Sequence, residues 1–439
     1  MIKGMRTVRN GWGVAALSLG AALIWAPKVQ AQQACAALPT GARLAIAGDS
    51  ITEQKLYSRY VETYLLACAG RRDVSVFQFG WGGETAGGFA GRMSNDLAMF
   101  KPTAATLCYG MNDGGYRPYE ESIGQTYAGR MLAIVSNLLG MGVSVVVVGS
   151  PGAVDTKYFQ RASGAFGAQS AADGYNASLG QLRDLDEKLA ARLKLPFADV
   201  HGAMTGAMTR AKAALGTDYD VCGRDGVHPG PNGQLCMAYA FLKALACDGL
   251  IGEIVVDLKA GATASPGHKV LSAAGGKVAI ESERYPFCFE GDATASSGTR
   301  SILPFLPFNQ DLNRFMLKVT GLDAPRAKVA WGEVSREFTR EQLAAGVNLA
   351  AEFDRTPFDA AFQAVAGKVA QKQGFETPMI KSAITQFRWL QNDLGSDAEL
   401  QSALKVITQR LAARRAQLEA EVRAALVPVK HTLTVTALP

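Results

Sequence analysis

Histidine is scarce in this sequence, with four residues among 439. Cys222 and Cys236 flank one of them, His228, but no CxxC pair and no second nearby histidine accompany them, so the pattern does not favour a zinc site. The segment GWGGET has Thr85 where the third glycine of a dinucleotide-binding fingerprint would stand, and a GxSxG nucleophile elbow is absent. We therefore expect no metal ion and no cofactor.

A long apolar run is also lacking. The N-terminal run from Trp12 to Trp25 is shorter than the roughly twenty residues that a membrane-spanning helix needs. Three basic residues precede it and Val29-Gln30-Ala31 follows it, a pattern typical of a secretory signal peptide. The sequence predicts a signal peptide over residues 1–31, cleaved after about Ala31, with export to the periplasm or the medium and no stable membrane insertion afterwards. A retained membrane anchor is the alternative.

The chain has no large excess of charge of one sign. Its formal net charge is +6, but Lys3, Arg6, Arg9 and Lys28 belong to the predicted signal peptide, which contains no acidic residue. The exported chain would therefore carry 6 − 4 = +2. So small a charge does not favour nucleic acid as a partner.

All seven cysteines follow the predicted cleavage site, and export permits disulfide bonds. An odd count leaves at least one free thiol. Cys108 lies in an apolar segment that predicts a buried strand, and we expect it to be that thiol. We expect Cys35 to pair with Cys68 and to tie the mature N-terminus to a helix end.

Between Arg43 and Gly249, short apolar runs alternate with longer helical patterns. The runs are LAIAG, VSVFQF, TAATLCYG, VSVVVVGS and PFADV. Continuous apolar strands between helices predict a parallel sheet covered on both faces, a doubly wound α/β domain that we assign to residues 41–250. In such domains the functional site lies at the C-terminal ends of the strands.

Residues 251–439 predict a β-rich and helical accessory region that packs on the first domain. IVVDL, KVAIES, RFMLKVTGL, AKVAW and VSREF predict antiparallel strands, and residues 356–426 predict helices. The last helix begins with a capping box of Ser396 and Glu399. Its apolar stripe is typical of an intramolecular core, with a partner-binding or coiled-coil face as the alternative. Alternation over residues 427–439 predicts a final half-buried strand that pairs with this sheet.

Ser50 directly follows the first predicted strand, in the segment Gly48-Asp49-Ser50-Ile51-Thr52, and a helical pattern begins there. This places its hydroxyl on a tight turn at the functional edge of the sheet. A serine before a helix is commonly only an N-cap. A nucleophilic role requires a general base at the same edge.

His228 is the histidine placed to be that base. It lies in a turn-rich segment after the last strand of the sheet and before a helix. Asp225, three residues earlier, can accept the Nδ1 proton and leave Nε2 free to receive the proton of the serine. The order Ser, Asp, His along the chain is one known arrangement of such a triad. We expect a structural role for His201, and we expect His268 and His431 at the surface.

Acyl transfer also requires hydrogen-bond donors that are in place before an oxyanion develops. The loop after the second strand, residues 80–85, can supply the N–H of Gly83, with Gly80 or Gly82 as alternatives. After the third strand the side-chain amide of Asn112 is a second donor, and the N–H of the serine is a third. An ordinary tight turn and an Asx turn are the alternatives for the two loops.

The blocks GDSIT, GGET, GMND and DGVHP, in this order, resemble the SGNH hydrolases, also called GDSL esterases. The resemblance spans about half of the chain, residues 43–249. It implies a flavodoxin-like three-layer α/β/α fold, with Ser50 as nucleophile, Asp225 orienting His228, and an oxyanion hole formed by Ser50, Gly83 and Asn112. The family includes carbohydrate acetylesterases, lipases, thioesterases and a few acyltransferases, so the fold does not name the substrate.

Aromatic and polar side chains in the loops near the site suit contact with sugar rings, with loop packing as the alternative. They are Trp81, Tyr109, Tyr116, Arg117 and Tyr119. Together with export they favour a secreted carbohydrate O-acetyl esterase, acting on a small-molecule or polysaccharide ester. The alternatives are a lipase, an acyl esterase or a thioesterase, and a non-catalytic polysaccharide-binding protein that keeps the SGNH shell.

Overall fold

Five parallel strands form the central sheet of the N-terminal half in the computed structural model, which describes residues 34–161 and 163–439. The strands are β1 (Arg43–Gly48), β2 (Ser75–Gln78), β3 (Ala104–Cys108), β4 (Val145–Gly149) and β5 (Phe197–Ala198). Their order is β2-β1-β3-β4-β5, as in flavodoxin-like folds. Nearly every residue of β1 to β4 is buried, which explains the continuous apolar runs. The predicted signal peptide lies outside the described residues.

Helices cover both faces of this sheet, so the predicted three-layer α/β/α fold is confirmed. They are α1 (Ser50–Glu53), α2 (Tyr57–Thr63), α3 (Ala86–Leu97), α4 (Glu121–Gly140), α5 (Ala171–Leu193), α6 (Val200–Leu215) and α7 (Pro231–Ala244). A π-helical turn, Tyr64–Cys68, extends α2, and a 3₁₀ turn, Ser163–Phe166, precedes α5. On one face Leu44 and Ile46 pack with α2, α6 and α7. On the other, Ala45 and Ala47 pack with α3, α4 and part of α5.

Two further sheets follow in the accessory region. Their strands are β6 (Leu250–Asp257), β7 (Gly261–Ala264), β8 (His268–Ala274), β9 (Lys277–Ser282), β10 (Arg314–Thr320), β11 (Arg326–Trp331), β12 (Val334–Thr339), β13 (Val347–Asn348) and β14 (Val429–Leu438). The sheet orders are β13-β10-β6-β7 and β12-β11-β14-β9-β8. The prediction of antiparallel pairing is wrong for β6 and β10, which are parallel. The long connection between them, which contains three other strands, allows a crossover.

The accessory region also contains six α-helices among its described residues. They are α8 (Phe308–Asp311), α9 (Arg340–Ala345), α10 (Leu349–Glu352), α11 (Asp359–Pro378), α12 (Arg388–Asp393) and α13 (Ala398–Ala424), with a 3₁₀ segment at Arg300–Phe305 and a π-helical segment at Met379–Thr385. The predicted cap of α13 is wrong by one residue, because the side chain of Asp397, and not that of Ser396, accepts from the N–H of Leu400. The predicted core role of its stripe holds for Leu404 and for the end of the helix, whereas Ile407 is exposed.

The last strand, β14, lies between β9 and β11 and is antiparallel to both. Its residues Leu433 and Val435 are buried, and the prediction of a half-buried final strand is therefore confirmed. Because β14 occupies a central position, the end of the chain holds the two halves of this sheet together.

The expected surface positions of His268 and His431 are wrong, because both side chains are buried. The indole N–H of Trp331 donates to Nδ1 of His431, and Nε2 of His431 lies 2.9 Å from Oγ of Ser282. Oγ of Ser282 lies 2.8 Å from Nδ1 of His268, whose Nε2 lies 2.9 Å from the carbonyl oxygen of Ile251. When the imidazole rings of His268 and His431 are both neutral, every donor in this series of hydrogen bonds has an acceptor. Burial lowers the pKa of His268 to about 4 and that of His431 to about 3.

Cys35 forms a disulfide with Cys247, so the expected pairing with Cys68 is wrong. The segment around Cys35 runs beside the end of α7, where the N–H of Ala36 donates to the carbonyl of Ala246. The N-terminal segment is thus tied to a helix end, although not to the one that was expected. Cys108 is a buried free thiol, as predicted, and so are Cys68, Cys222, Cys236 and Cys288.

Buried charges join the accessory helices to the first sheet within the compact unit Ala34–Pro439. Lys372 of α11 is completely buried, and its Nζ lies 2.6 Å from the carbonyl oxygen of Val76 and 2.6 Å from Oε1 of Glu62. Glu376 and Glu419 lie 3.6 and 3.5 Å from the same ammonium group. This cluster, which we call the Lys372 cluster, contains residues of α2, β2, α11 and α13.

Candidate active site

Ser50 is the first residue of α1, at the C-terminal end of β1. The carboxylate of Asp49 caps this turn by accepting the N–H of Ile51 at 3.0 Å. Gly48 is required in the turn, because a Cβ there would lie 2.1 Å from Oγ1 of Thr52. Asp49 is buried, and burial raises its pKa to about 7. The local sequence thus places the hydroxyl of Ser50 at the sheet edge that the strand pattern predicts.

His228 meets Ser50 at this edge. Its Nε2 lies 2.8 Å from Oγ of Ser50, and its Nδ1 lies 2.6 Å from Oδ2 of Asp225. The other carboxylate oxygen of Asp225 accepts the N–H groups of Val227 and His228, both at 2.9 Å. Burial by itself would raise the pKa of Asp225, but the hydrogen bonds from His228 and Val227 hold it below its ordinary value. An ionised Asp225 keeps the Nδ1 proton on His228, so Nε2 can accept the proton of Ser50.

A buried carboxylate supports the loop that carries Asp225 and His228. Asp155 accepts the N–H of Val221 at 3.1 Å and pairs with Lys212 at 2.9 Å. Its own N–H donates to the carbonyl of Gly226 at 2.9 Å. These contacts fix both ends of the segment in which Asp225 lies. Nothing in the local sequence pattern indicated this support.

Asn112 is held in one orientation by two neighbours. Its Oδ1 accepts the hydroxyl of Tyr116 at 3.0 Å, and its Nδ2 donates to the carbonyl of Glu84 at 3.0 Å. The hydroxyl of Tyr116 donates to Oδ1, so the amide nitrogen of Asn112 faces the other way. One of its two hydrogens goes to Glu84, and the second is available to another acceptor. Tyr116, which the sequence predicts as a substrate contact, thus positions Asn112, the predicted oxyanion donor.

The loop 80–85 presents Gly83 to solvent with φ of +72°. Within the described part of the chain, the N–H groups of Ser50 and Gly83 meet no protein acceptor. In contrast, the N–H of Gly82 donates to Oε2 of Glu53 at 2.5 Å. This contact removes Gly82 as an alternative donor, and the alternative Gly80 is buried.

The predicted substrate contacts differ in how far they are exposed. Tyr109 is completely buried and its hydroxyl donates to Glu84, so the expectation that it contacts substrate is wrong. Trp81 is half-buried, whereas Arg117 is exposed and pairs with Glu120 at 3.1 Å. A role of Trp81, Tyr116 and Arg117 toward substrate remains a prediction.

Arg161 is a residue near the site that the sequence did not indicate. Its guanidinium group lies 4.0 Å from Oδ2 of Asp225 and 5.1 Å from the ring centroid of Tyr116. Both contacts join segments that are far apart in the sequence. A single sequence therefore carries no local signal for them.

Within residues 34–161 and 163–439, no group of three or more His, Cys, Asp or Glu side chains is arranged to bind a metal ion. The thiol of Cys236 instead contacts the carbonyl of Asn232, inside α7. None of the described helices has both the length and the apolar character that crossing a membrane requires.

The chain is similar to known proteins in sequence and in structure. A family model described as the GDSL-like lipase/acylhydrolase family matches residues 46–235. A gut microbial diltiazem-metabolizing enzyme has a similar structure, with a TM-score of 0.69 at 19% identity over 91% of this chain and 99% of its own. At this identity the likeness shows the fold alone, and it covers both halves of the chain. A comparison with curated proteins gave no match.

Two other solved structures are similar over about half of the chain. One is an acetylxylan esterase from Geobacillus stearothermophilus, with a TM-score of 0.39 at 19% identity over 47% of this chain and 95% of its own. The other is an alpha/beta hydrolase enzyme from the metagenome of Lake Arreo, Spain, with a TM-score of 0.39 at 20% identity over 48% of this chain and 98% of its own. Through residues 46–235 the chain belongs to the GDSL-like lipase/acylhydrolase family, and it is an ester-hydrolysing enzyme of the SGNH type.

Proposed function

We propose that the chain is an exported serine esterase in which Ser50 is the nucleophile, His228 the general base and Asp225 the residue that orients His228. The observation that carries this proposal is the continuous contact from Oγ of Ser50 through the ring of His228 to Asp225, at 2.8 and 2.6 Å. Both distances are those of hydrogen bonds, so a proton can pass from the serine to Nε2 without rearrangement.

The reaction proceeds through an acyl-enzyme. Nε2 of His228 takes the proton of Ser50 while Oγ attacks the ester carbonyl carbon, and the resulting oxyanion accepts hydrogen bonds from the N–H groups of Ser50 and Gly83 and from Nδ2 of Asn112. His228 then gives its proton to the departing alcohol as the ester bond breaks. Water repeats the cycle, because His228 deprotonates it for attack on the acyl group and returns the proton to Ser50, releasing the acid.

The substrate we propose is an O-acetyl ester on a carbohydrate. The support is the rim of the site, where Trp81 and Tyr116 are half-buried and Arg117 is exposed. Such amphipathic rings and polar groups suit a sugar better than a long acyl chain. The disulfide of Cys35 and Cys247 supports export, because such bonds persist in oxidising compartments.

A panel of esters tests this proposal. Acetylated xylo-oligosaccharides and p-nitrophenyl acetate should be hydrolysed with higher kcat/KM than p-nitrophenyl octanoate or an acyl thioester. A preference for the octanoate or the thioester would contradict the acetyl assignment. Ser50→Ala is the control: retention of more than roughly a hundredth of the wild-type kcat would contradict the role of Ser50, since losing a triad member usually costs far more.

A further inference from the structure

The carboxylate of Glu53 links Lys381 of the accessory region to Gly82 of the loop 80–85. Nζ of Lys381 lies 2.7 Å from Oε1 of Glu53, while Oε2 of Glu53 accepts the N–H of Gly82 at 2.5 Å. Gly82 directly precedes Gly83. We propose that Lys381, acting through Glu53, is a positioning residue that sets the oxyanion donor of Gly83. This inference rests on the proposed function.

Glu53 can set this loop because the start of the loop lies directly against α1. Glu53 ends α1, the turn that begins with Ser50. A Cβ on Gly80 would lie 2.3 Å from the backbone nitrogen of Glu53, so the loop backbone lies directly against α1. A carboxylate that moves with the helix of the nucleophile and binds the N–H of Gly82 therefore fixes the distance between two of the proposed oxyanion donors.

The charge of Glu53 explains why a lysine is needed. A carboxylate beside an oxyanion hole repels the negative charge that develops there, and a cation at 2.7 Å from that carboxylate offsets the repulsion. The side chains of Lys381 and Glu53 are only 27% and 25% exposed, so water screens the pair less than it screens a surface pair. Nζ of Lys381 also lies 4.7 Å from the ring centroid of Trp81, within the same loop.

The segment that carries Lys381 is fixed in the core of the first domain. Met379 and Ile380, directly before it, are 2% exposed and pack with residues of the central sheet. On its other side the hydroxyl of Thr385 donates to Asp96 of α3 at 2.9 Å. The lysine lies outside residues 46–235, which the family model matches. The accessory region thus supplies a positioning residue that the SGNH half does not contain.

Steady-state kinetics of Lys381 variants tests the inference. Lys381→Met should lower kcat roughly ten-fold, less than the loss of an oxyanion donor itself, with KM changed less than about two-fold. Lys381→Arg keeps the charge and should restore most of kcat. Adding Glu53→Gln to Lys381→Met should recover part of kcat, because the amide oxygen of glutamine still accepts from Gly82 and carries no charge.

Lys368→Met is the matched control. Lys368 belongs to α11 and pairs with Glu421 at 2.9 Å. The variant therefore removes a lysine–glutamate ion pair of the accessory region that lies away from the loop 80–85. We expect kcat to stay unchanged. Thermal melting of every variant separates loss of folded protein from loss of turnover.

Three results would overturn the inference: wild-type kcat in Lys381→Met, an equal loss in Lys381→Arg, or no recovery in the double variant. Failure of the proposed function would give a different result, and it would overturn both the esterase proposal and the role of Lys381. In that case the wild-type enzyme would hydrolyse esters without any dependence on Ser50.

Discussion

Replacing Lys372 with methionine should strongly destabilise the protein. Burial alone would lower the pKa of Lys372, but the carboxylates of Glu376, Glu62 and Glu419 outweigh it and hold that pKa above its ordinary value. The residue is therefore a buried ammonium ion. Methionine fills similar volume but leaves the carboxylates without this cation. Arg415, at 2.9 Å from Glu376 and 2.8 Å from Glu419, and Arg423, at 2.7 Å from Glu419, remain close to two of them.

The size of this effect follows from the burial of the pair. Removing one partner of a buried ion pair costs about 3–5 kcal/mol of unfolding free energy. For a unit of roughly 400 residues, an unfolding entropy of about 2.1 cal/mol/K per residue converts this loss into a fall in Tm of roughly 4–6 °C. Glu62→Gln in the same chain should recover part of the loss, because burial raises the pKa of Glu62 to about 7 and its charge is costly without Lys372.

Urea denaturation and thermal melting of Lys372→Met, Glu62→Gln and the double variant measure this coupling as a double-mutant cycle. Lys368→Met, which removes a partly exposed ion pair of the same helix, should leave Tm almost unchanged. A loss below about 1 kcal/mol in Lys372→Met would show that Lys372 contributes no more than an exposed ion pair does, contrary to this prediction.

Three further predictions concern turnover, acid stability and the last strand. Asn112→Ala should lower kcat roughly a hundred-fold with KM little changed, as for loss of one oxyanion donor; a change confined to KM in steady-state kinetics would make Asn112 a binding residue. Since the pKa of His268 is about 4 and that of His431 about 3, the unfolded chain binds protons below about pH 6.5 that the folded chain does not, and the unfolding free energy should fall as pH drops from about 6.5 to 4. His431→Gln should flatten this slope in urea titrations, and an unchanged slope would show that other groups cause it. Removing residues 427–439 deletes the central strand of a five-stranded sheet and should abolish soluble expression or cooperative melting; a truncated chain that melts like the full chain would contradict this.

The central sheet and the motif positions could be predicted because their signals are local. Continuous apolar runs such as that of β4 identify buried parallel strands, and the parallel arrangement brings strand ends to one edge. Ser50, Asn112 and His228 each follow a strand or precede a helix in the sequence, so their common location followed from topology. The structure places Nε2 of His228 2.8 Å from Oγ of Ser50.

The features that escaped prediction depend on segments that are distant in sequence. Cys35 pairs with Cys247 because backbone hydrogen bonds place the N-terminal segment beside α7, which no spacing of cysteines reveals. His431 is buried because β14 inserts between β9 and β11, which lie far before it in the sequence. In the sequence, Lys372 and Lys381 have the pattern of surface lysines on helices. Their roles depend on contacts of the accessory region with α1, α2 and β2.

Hydrolysis by the proposed mechanism requires that His228 activate Ser50. A fluorophosphonate probe tests this most directly, because it phosphonylates a serine only when a base and oxyanion donors activate it. Mass spectrometry of the wild-type protein and of its peptides should show one adduct, on Ser50, with no adduct in Ser50→Ala and strongly slowed labelling in His228→Ala. Absence of labelling in the folded wild-type protein, or labelling that persists in Ser50→Ala, would contradict the account.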